Sequence, residues 1–197
     1  MERFVSAGYK QLCSALEQLA PMPEGYASQL PTTFRERRLP AGSTLIRAGD
    51  VATGVGFVVE GLFKYFYIDH EGKERIKTIA QENDFVVSYS SLLTGEPSSY
   101  FIEAVETSTV LVVDRDTYLT GVDRDPYWAT IARKYVEQLF VAKVRREASL
   151  LMDDAATRYE RFVSVHRTLH DRLRLKDIAS FLGMTDVTLS RVRRDRS

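Results

Sequence analysis

Near its end the chain carries Thr185, Asp186, Val187, Thr188, Ser190, Arg191 and Arg194, side chains whose types and spacing suit hydrogen bonding to nucleic acid. Hydroxyls and guanidinium groups can bond base edges and phosphate oxygens. Leu189 and Val192 recur among them at i, i+3, so a single helix would turn these two inward and the others outward. Arg191, Arg193, Arg194 and Arg196 face one acid, Asp195. A charge run at a chain end is ordinarily a solvated tail, but one that continues such a helix favours contact with backbone phosphates.

These side chains need a scaffold, and the preceding residues provide its pattern. Leu175 to Arg194 reads LKDIASFLGMTDVTLSRVRR, with Ile178, Leu182, Met184, Leu189 and Val192 as its apolar positions. Gly183 separates two short segments of helical periodicity and suits a turn that needs positive φ. Ala179 is small where two helices must cross closely at a steep angle. Thr185 can cap the second helix through its hydroxyl. A helix-turn-helix is therefore expected. An inert αα-hairpin shares the small residues and the glycine, but it would carry apolar side chains where this segment has hydroxyls and arginines.

Other chemistry is weakly supported. His166 and His170 stand at i, i+4, a spacing that can hold a metal, yet no third ligand accompanies them, so surface histidines are expected. His70 falls in a turn, and Asp153 and Asp154 read as the start of a helix rather than a catalytic pair. GEPSS offers hydroxyls without a neighbouring base, and neither a Gly-rich phosphate loop nor a GxSxG sequence occurs. The single Cys13 excludes an internal disulfide and a cysteine-ligated cluster. No enzyme, no metal and no cofactor are expected.

The 197 residues have room for one ordinary domain and a small one. A hydrophobic fraction of 44% and a charged fraction of 27% are those of a soluble globular protein. The 27 basic and 27 acidic residues give zero net charge, so the basic character is local to the C-terminal segment. No apolar run suffices for a membrane span, and MERFVSAGYKQ lacks the apolar centre of a secretion signal. A cytoplasmic protein is expected.

Along the chain, Leu12, Leu16 and Leu19 predict an amphipathic helix over Ser6–Leu19, and PMPEGYASQLP breaks and restarts the chain. From Thr33 to Asp114 short β-rich runs such as VGFVVEG, LFKYFYIDHEG and TVLVVD are cut by Gly42, Gly49, Gly61 and Gly72. Their number and close spacing predict an antiparallel barrel or jelly roll filled by its many aromatics. A short helix follows near Arg115–Thr120, then a turn at DRDP, then a helix from Pro126 to Met152, which would reach ~40 Å. One of its rows reads Ala132, Val136, Phe140, Val144, Ala148, Met152, and another Ile131, Tyr135, Leu139. That stripe is too wide for one neighbour, so one side is expected on the barrel and the other on a second subunit. Ile131, Tyr135, Leu139 and Ala142 are the expected dimer contacts, although Gln138 and Arg145 interrupt the heptad. Ala155–Leu173 predicts a further amphipathic helix leading into the helix-turn-helix.

In this order the chain resembles the Crp/Fnr family, the catabolite-activator-type bacterial transcription regulators, from Phe34 to Arg194. LPAGSTLIRAGD, FVVEGLFKYFY, SLLTGEP and LKDIASFLGMTDVTLSRVR carry the resemblance. It implies an α+β chain: an antiparallel β jelly roll of the cyclic-nucleotide-binding type, a long dimerisation helix and a C-terminal helix-turn-helix domain that reads the major groove. The expected divisions are residues 1–125, 126–152 and 153–197. Double-stranded DNA, a second copy of the chain and RNA polymerase are the implied partners.

The sequence also departs from that family. Cyclic-nucleotide-binding members carry Phe-Gly-Glu and, further on, Arg-Ser or Arg-Thr; the Glu accepts from the ribose hydroxyl and the Arg pairs with the phosphate. The matching positions here are Val87, Ser88, Ser98 and Ser99. A serine hydroxyl does not replace a guanidinium charge, so these four residues predict an effector pocket that does not respond to cyclic AMP. Cys13 alone cannot serve an iron–sulfur member. Asp186 and Val187 replace the family's common Arg-Glu, with Arg191 retained, so the target sequence should differ. The chain as given ends at Ser197, leaving little expected room for a β-wing. The resulting expectation is a dimeric, sequence-specific DNA-binding transcription regulator. The alternative is a dimeric small-molecule sensor or scaffold that has lost DNA binding.

Overall fold

The computed structural model describes residues 7–166 and 168–195. Helix α1 (Ala7–Leu19) buries Gly8, Leu12 and Leu16 along one face, the i, i+4 spacing of its sequence. Helix α2 (Tyr26–Thr33) follows, where the sequence was expected only to break and restart. Pro31 masks this helix in the sequence, but it lies close to the C-terminal end, and the Phe34 N–H closes the last turn on the Leu30 carbonyl.

The strands are β1 (Arg35–Leu39), β2 (Thr44–Ile46), β3 (Gly54–Glu60), β4 (Phe63–Ile68), β5 (Glu74–Ala80) and β6 (Phe85–Val86). After helix α3 (Tyr89–Thr94) come β7 (Phe101–Ala104) and β8 (Ser108–Asp114). They form two four-stranded antiparallel sheets, ordered β1-β8-β3-β6 and β2-β7-β4-β5. Phe57, Phe63, Ile102 and Leu111 are wholly buried in the core they enclose. The β4–β5 hairpin turns at Asp69–Gly72: Gly72 takes φ 76°, and the Asp69 carboxylate accepts the Glu71 and Lys73 N–H groups. Helix α3 was not anticipated, because YSSLLT is too short to show a helical period.

Helix α4 (Arg115–Arg124) runs a turn further than its sequence suggested. Asp125 both closes α4 and caps helix α5 (Pro126–Met152) by accepting the Tyr127 N–H, so the DRDP turn is a tight elbow. The helix expected over Ala155–Leu173 is broken. Helix α6 (Ala155–Val165) starts under its Asp154 cap and stops at His166, and a short helix α7 (Leu169–Arg172) follows. Helices α8 (Leu175–Phe181) and α9 (Asp186–Arg194) complete the chain.

Two apolar cores result. The first fills the barrel and takes in α1, Leu30 of α2, and Tyr127 and Ile131 of α5. The second joins Tyr159, Phe162, Leu169, Leu173, Ile178, Leu182 and Leu189 of the C-terminal helices, and it also includes Leu62, from the β3–β4 turn of the barrel. The two bodies are further bolted together by Arg172. Its guanidinium donates to both carboxylate oxygens of Glu82, at 2.7 and 3.0 Å, and to Glu106 at 2.5 Å. Burial works against the ionised form of Glu82, but Arg172 and the Gly61 N–H outweigh it and hold its carboxyl below the usual range. No described helix is long and apolar enough to cross a membrane.

Candidate nucleic-acid interface and sensor pocket

The helix-turn-helix geometry starts from two small residues. Ala179 is fully buried where α8 meets α9. Gly183 takes φ 64°, and the Met184 N–H reaches back to the Ala179 carbonyl at 3.0 Å, closing α8. A Cβ on Gly183 would lie 2.7 Å from Leu150 Cδ2, so the turn is pressed against α5. The Thr185 hydroxyl then accepts the Thr188 N–H at 3.1 Å and starts α9.

Helix α9 buries Leu189 and half-buries Val192. Thr185, Asp186, Val187, Ser190, Arg191 and Arg194 are exposed, while Thr188 is half-buried with its hydroxyl bonded to that of Thr185 at 2.9 Å. The exposed side chains form one polar surface with an arginine-rich C-terminal end. At the other end, Thr185, Asp186 and Val187 line a cleft of about 970 Å³ whose opposite wall is the hairpin Gly72–Arg75. Arg196 lies outside the described residues.

The four pocket positions sit at the mouth of the barrel beside α3. Val87, Ser88 and Ser98 are buried, whereas Ser99 is exposed and does not join them. Ser88 donates to Ser98 at 2.9 Å, and Ser98 to the Tyr100 carbonyl at 2.9 Å. The Val87 N–H is taken by the Tyr65 hydroxyl at 3.1 Å. The Tyr65 and Tyr100 rings are 5.9 Å apart. Burial pushes the Tyr100 hydroxyl up, partly offset by its hydrogen bonds to Ser88 and to the Tyr89 backbone. Val87, Ser88 and Ser98 thus bring no charge of their own, and the two serine hydroxyls are spent on each other and on the Tyr100 carbonyl. Sequence reasoning missed Tyr65 here, since it lies 22 residues from Val87 and only the sheet brings the two together.

The expected dimer contacts divide between two directions. Ile131 is buried in the core of its own chain. Tyr135 packs its ring on Phe85 and donates to the Phe85 carbonyl at 3.2 Å, so it too faces the barrel. These two are therefore corrected: the barrel of the same chain covers them. Leu139 and Ala142 are exposed, and the open apolar row beside them is Val136, Phe140, Val144 and Met152.

The two histidines also part. His166 is half-buried against Phe162 and Phe181, and burial lowers its pKa; His170 bonds Asp171 at 3.1 Å. Among the described residues no cluster of three or more His, Cys, Asp or Glu side chains is placed to hold a metal.

Residues 36–125 match the cyclic nucleotide-binding domain family. No curated protein matches the chain by sequence. Among solved structures, FixK2 from Bradyrhizobium japonicum is similar at 19% identity, over 82% of this chain and 83% of that one, with TM-score 0.70. A CooA mutant from Carboxydothermus hydrogenoformans is similar at 22% identity, over 88% and 80%, with TM-score 0.67. The Thermus thermophilus catabolite activator protein is similar at 22% identity, over 92% and 85%, with TM-score 0.56. At such identities the likeness is one of fold. Residues 36–125 thus match the cyclic nucleotide-binding domain family, in a chain that shares the fold of these three solved structures.

Proposed function

We propose that the chain is a dimeric, sequence-specific DNA-binding transcription regulator whose barrel does not respond to cyclic AMP. The observation that carries this reading is the polar outer surface of α9, anchored on buried Leu189 and ending in Arg191 and Arg194. A helix that presents hydroxyls and guanidiniums beyond an apolar seam is suited to base edges and flanking phosphates. The exposed apolar row of α5 is the surface on which a second copy would pair, bringing two such helices to one duplex. Occupancy of the barrel would bias the disposition of the α5 pair and hence the separation of the reading helices. RNA polymerase is a further partner in this reading, and no catalytic step is assigned to the chain.

A second reading, a dimeric sensor or scaffold without DNA binding, draws on one observation: the first turn of α9 faces its own hairpin across a shared cleft. Sequence selection from random duplex DNA separates the two. Enrichment of a two-half-site sequence is the expected result, and failure to retain any duplex at low salt would favour the scaffold.

A further inference from the structure

Facing the barrel mouth, three cations from two elements come together without a counter-charge. Lys77 of β5 places its ammonium 4.7 Å from the centroid of the Tyr100 ring and 5.9 Å from that of Tyr65. Arg146 of α5 reaches the carbonyl of Ile76, the residue before Lys77, at 3.5 Å. The same Nη2 donates to the Phe181 carbonyl of α8 at 2.7 Å, and the guanidinium lies over the Phe181 ring at 4.3 Å. Its Nε and Nη1 donors make no bond to the protein among the described residues. Lys143 stands one turn before Arg146 on the same face of α5.

None of the three meets a carboxylate in any ion pair of the described residues. Elsewhere the fold supplies partners generously: the buried Lys64 has both Glu74 and Glu103. Like charges gathered in a partly buried place repel unless an anion sits among them. Burial lowers the Lys77 pKa, and the charges of Lys143 and Arg146 lower it further.

We infer that Lys77, Lys143 and Arg146 form a binding site for a small oxyanion, free or carried as the phosphate group of a small molecule, between the barrel and the long helix. These are different residues from Ser88 and Ser98, where the family resemblance would put a phosphate, although Tyr100 adjoins both sets. Planar forks and ammonium groups with unused donors suit phosphate oxygens. The Tyr100 ring under Lys77 offers a flat apolar surface for the remainder of an organic phosphate. DNA is the less suitable occupant, because Phe181 covers Arg146 and Lys77 is half-buried. Because Arg146 also holds α8, an anion drawing on its free donors would act on the joint between barrel and reader. That last step rests on the proposed function; the binding itself does not.

The test is thermal unfolding of the full chain, without DNA, as inorganic phosphate or phenyl phosphate is titrated in the millimolar range at fixed ionic strength. A saturable rise in Tm is expected for the parent, with the apparent Kd weakened about tenfold or more in Lys77→Met and in Lys143→Met, and unchanged in Lys134→Met. Lys143 is exposed, so its variant keeps the test valid if Lys77→Met does not fold. Tighter binding of phenyl phosphate assigns an organic ligand resting on Tyr100, and equal binding assigns the bare oxyanion. No saturable rise with either compound, or equal rises in parent and both variants, overturns the site. So does a loss, in Lys77→Met, of both the phosphate response and the salt dependence of DNA binding, which would assign the cations to a duplex.

Discussion

Arg191 and Arg194 stand on the same exposed surface of α9 but should fail differently. Arg191 lies closer to the start of the helix, where the proposed function would have it meet a base edge, so Arg191→Ala should cost ~1–3 kcal/mol and relax preference at one base position. Arg194→Ala should weaken all duplexes alike and flatten the salt dependence. Quantitative gel shifts over a salt series check both. At the pocket, Ser88 and Ser98 bond each other, and neither side chain carries the charge that would pair with a phosphate. Cyclic AMP at millimolar concentration should therefore give no saturable heat in a calorimetric titration. A Kd below about 100 μM, roughly −5.5 kcal/mol, would contradict this. The serines were legible in the sequence as replacements. Their mutual hydrogen bond and the Tyr65 hydroxyl on Val87 were not, because these contacts depend on strands far apart in the chain. Lys64 was equally hidden: a lysine in a strand reads as exposed, yet it is buried between two glutamates.

The long helix shows what periodicity can and cannot tell. Two apolar rows, one of them covered by the barrel, were legible from spacing alone. Which row meets the barrel was not, because Ile131 and Val136 have equal apolar claims until Phe85 and Tyr89 are placed beside Tyr135. Since Phe140 is 65% exposed and Ile131 only 5%, charges at the two sites should have opposite consequences. Phe140→Asp should leave a folded chain that sediments as a monomer, because an unpaired carboxylate in a dimer seam costs several kcal/mol. Ile131→Asp should unfold the barrel instead. A Phe140→Asp protein that remains dimeric at micromolar concentration would remove α5 as the seam. Helices α2 and α7 were illegible for a different reason: each is too short for a period, and α2 contains a proline.

Across the whole molecule, the barrel and the C-terminal helices are held by charge as well as by apolar contact. Glu82 has its folded pKa below the usual value, so its share of stability is present above about pH 4.3 and is lost as pH falls through the folded pKa. Arg172 and Glu82 are both partly exposed, so solvent screening limits that share to about 1 kcal/mol. Thermal unfolding between pH 5 and pH 3, values spanning the ordinary carboxylate range, should therefore show a steeper acid loss for the parent than for Glu82→Gln. Equal slopes would mean that the Arg172 bridge contributes nothing to the docked arrangement.

Leu62 gives the architecture a consequence for how such chains are assembled and cut. It belongs to the barrel by sequence, but its side chain is wholly buried among the C-terminal helices, where Ile79 and Val105 also pack. A segment starting at Ala155 therefore leaves part of its own interior behind. Grafted onto a foreign sensor it would carry an open socket, and only a host with an aliphatic side chain at the same height could close it. The C-terminal helical body is thus a fitted component rather than an interchangeable cassette, and recombination that joins unmatched halves would be penalised in stability where Leu62 is missing.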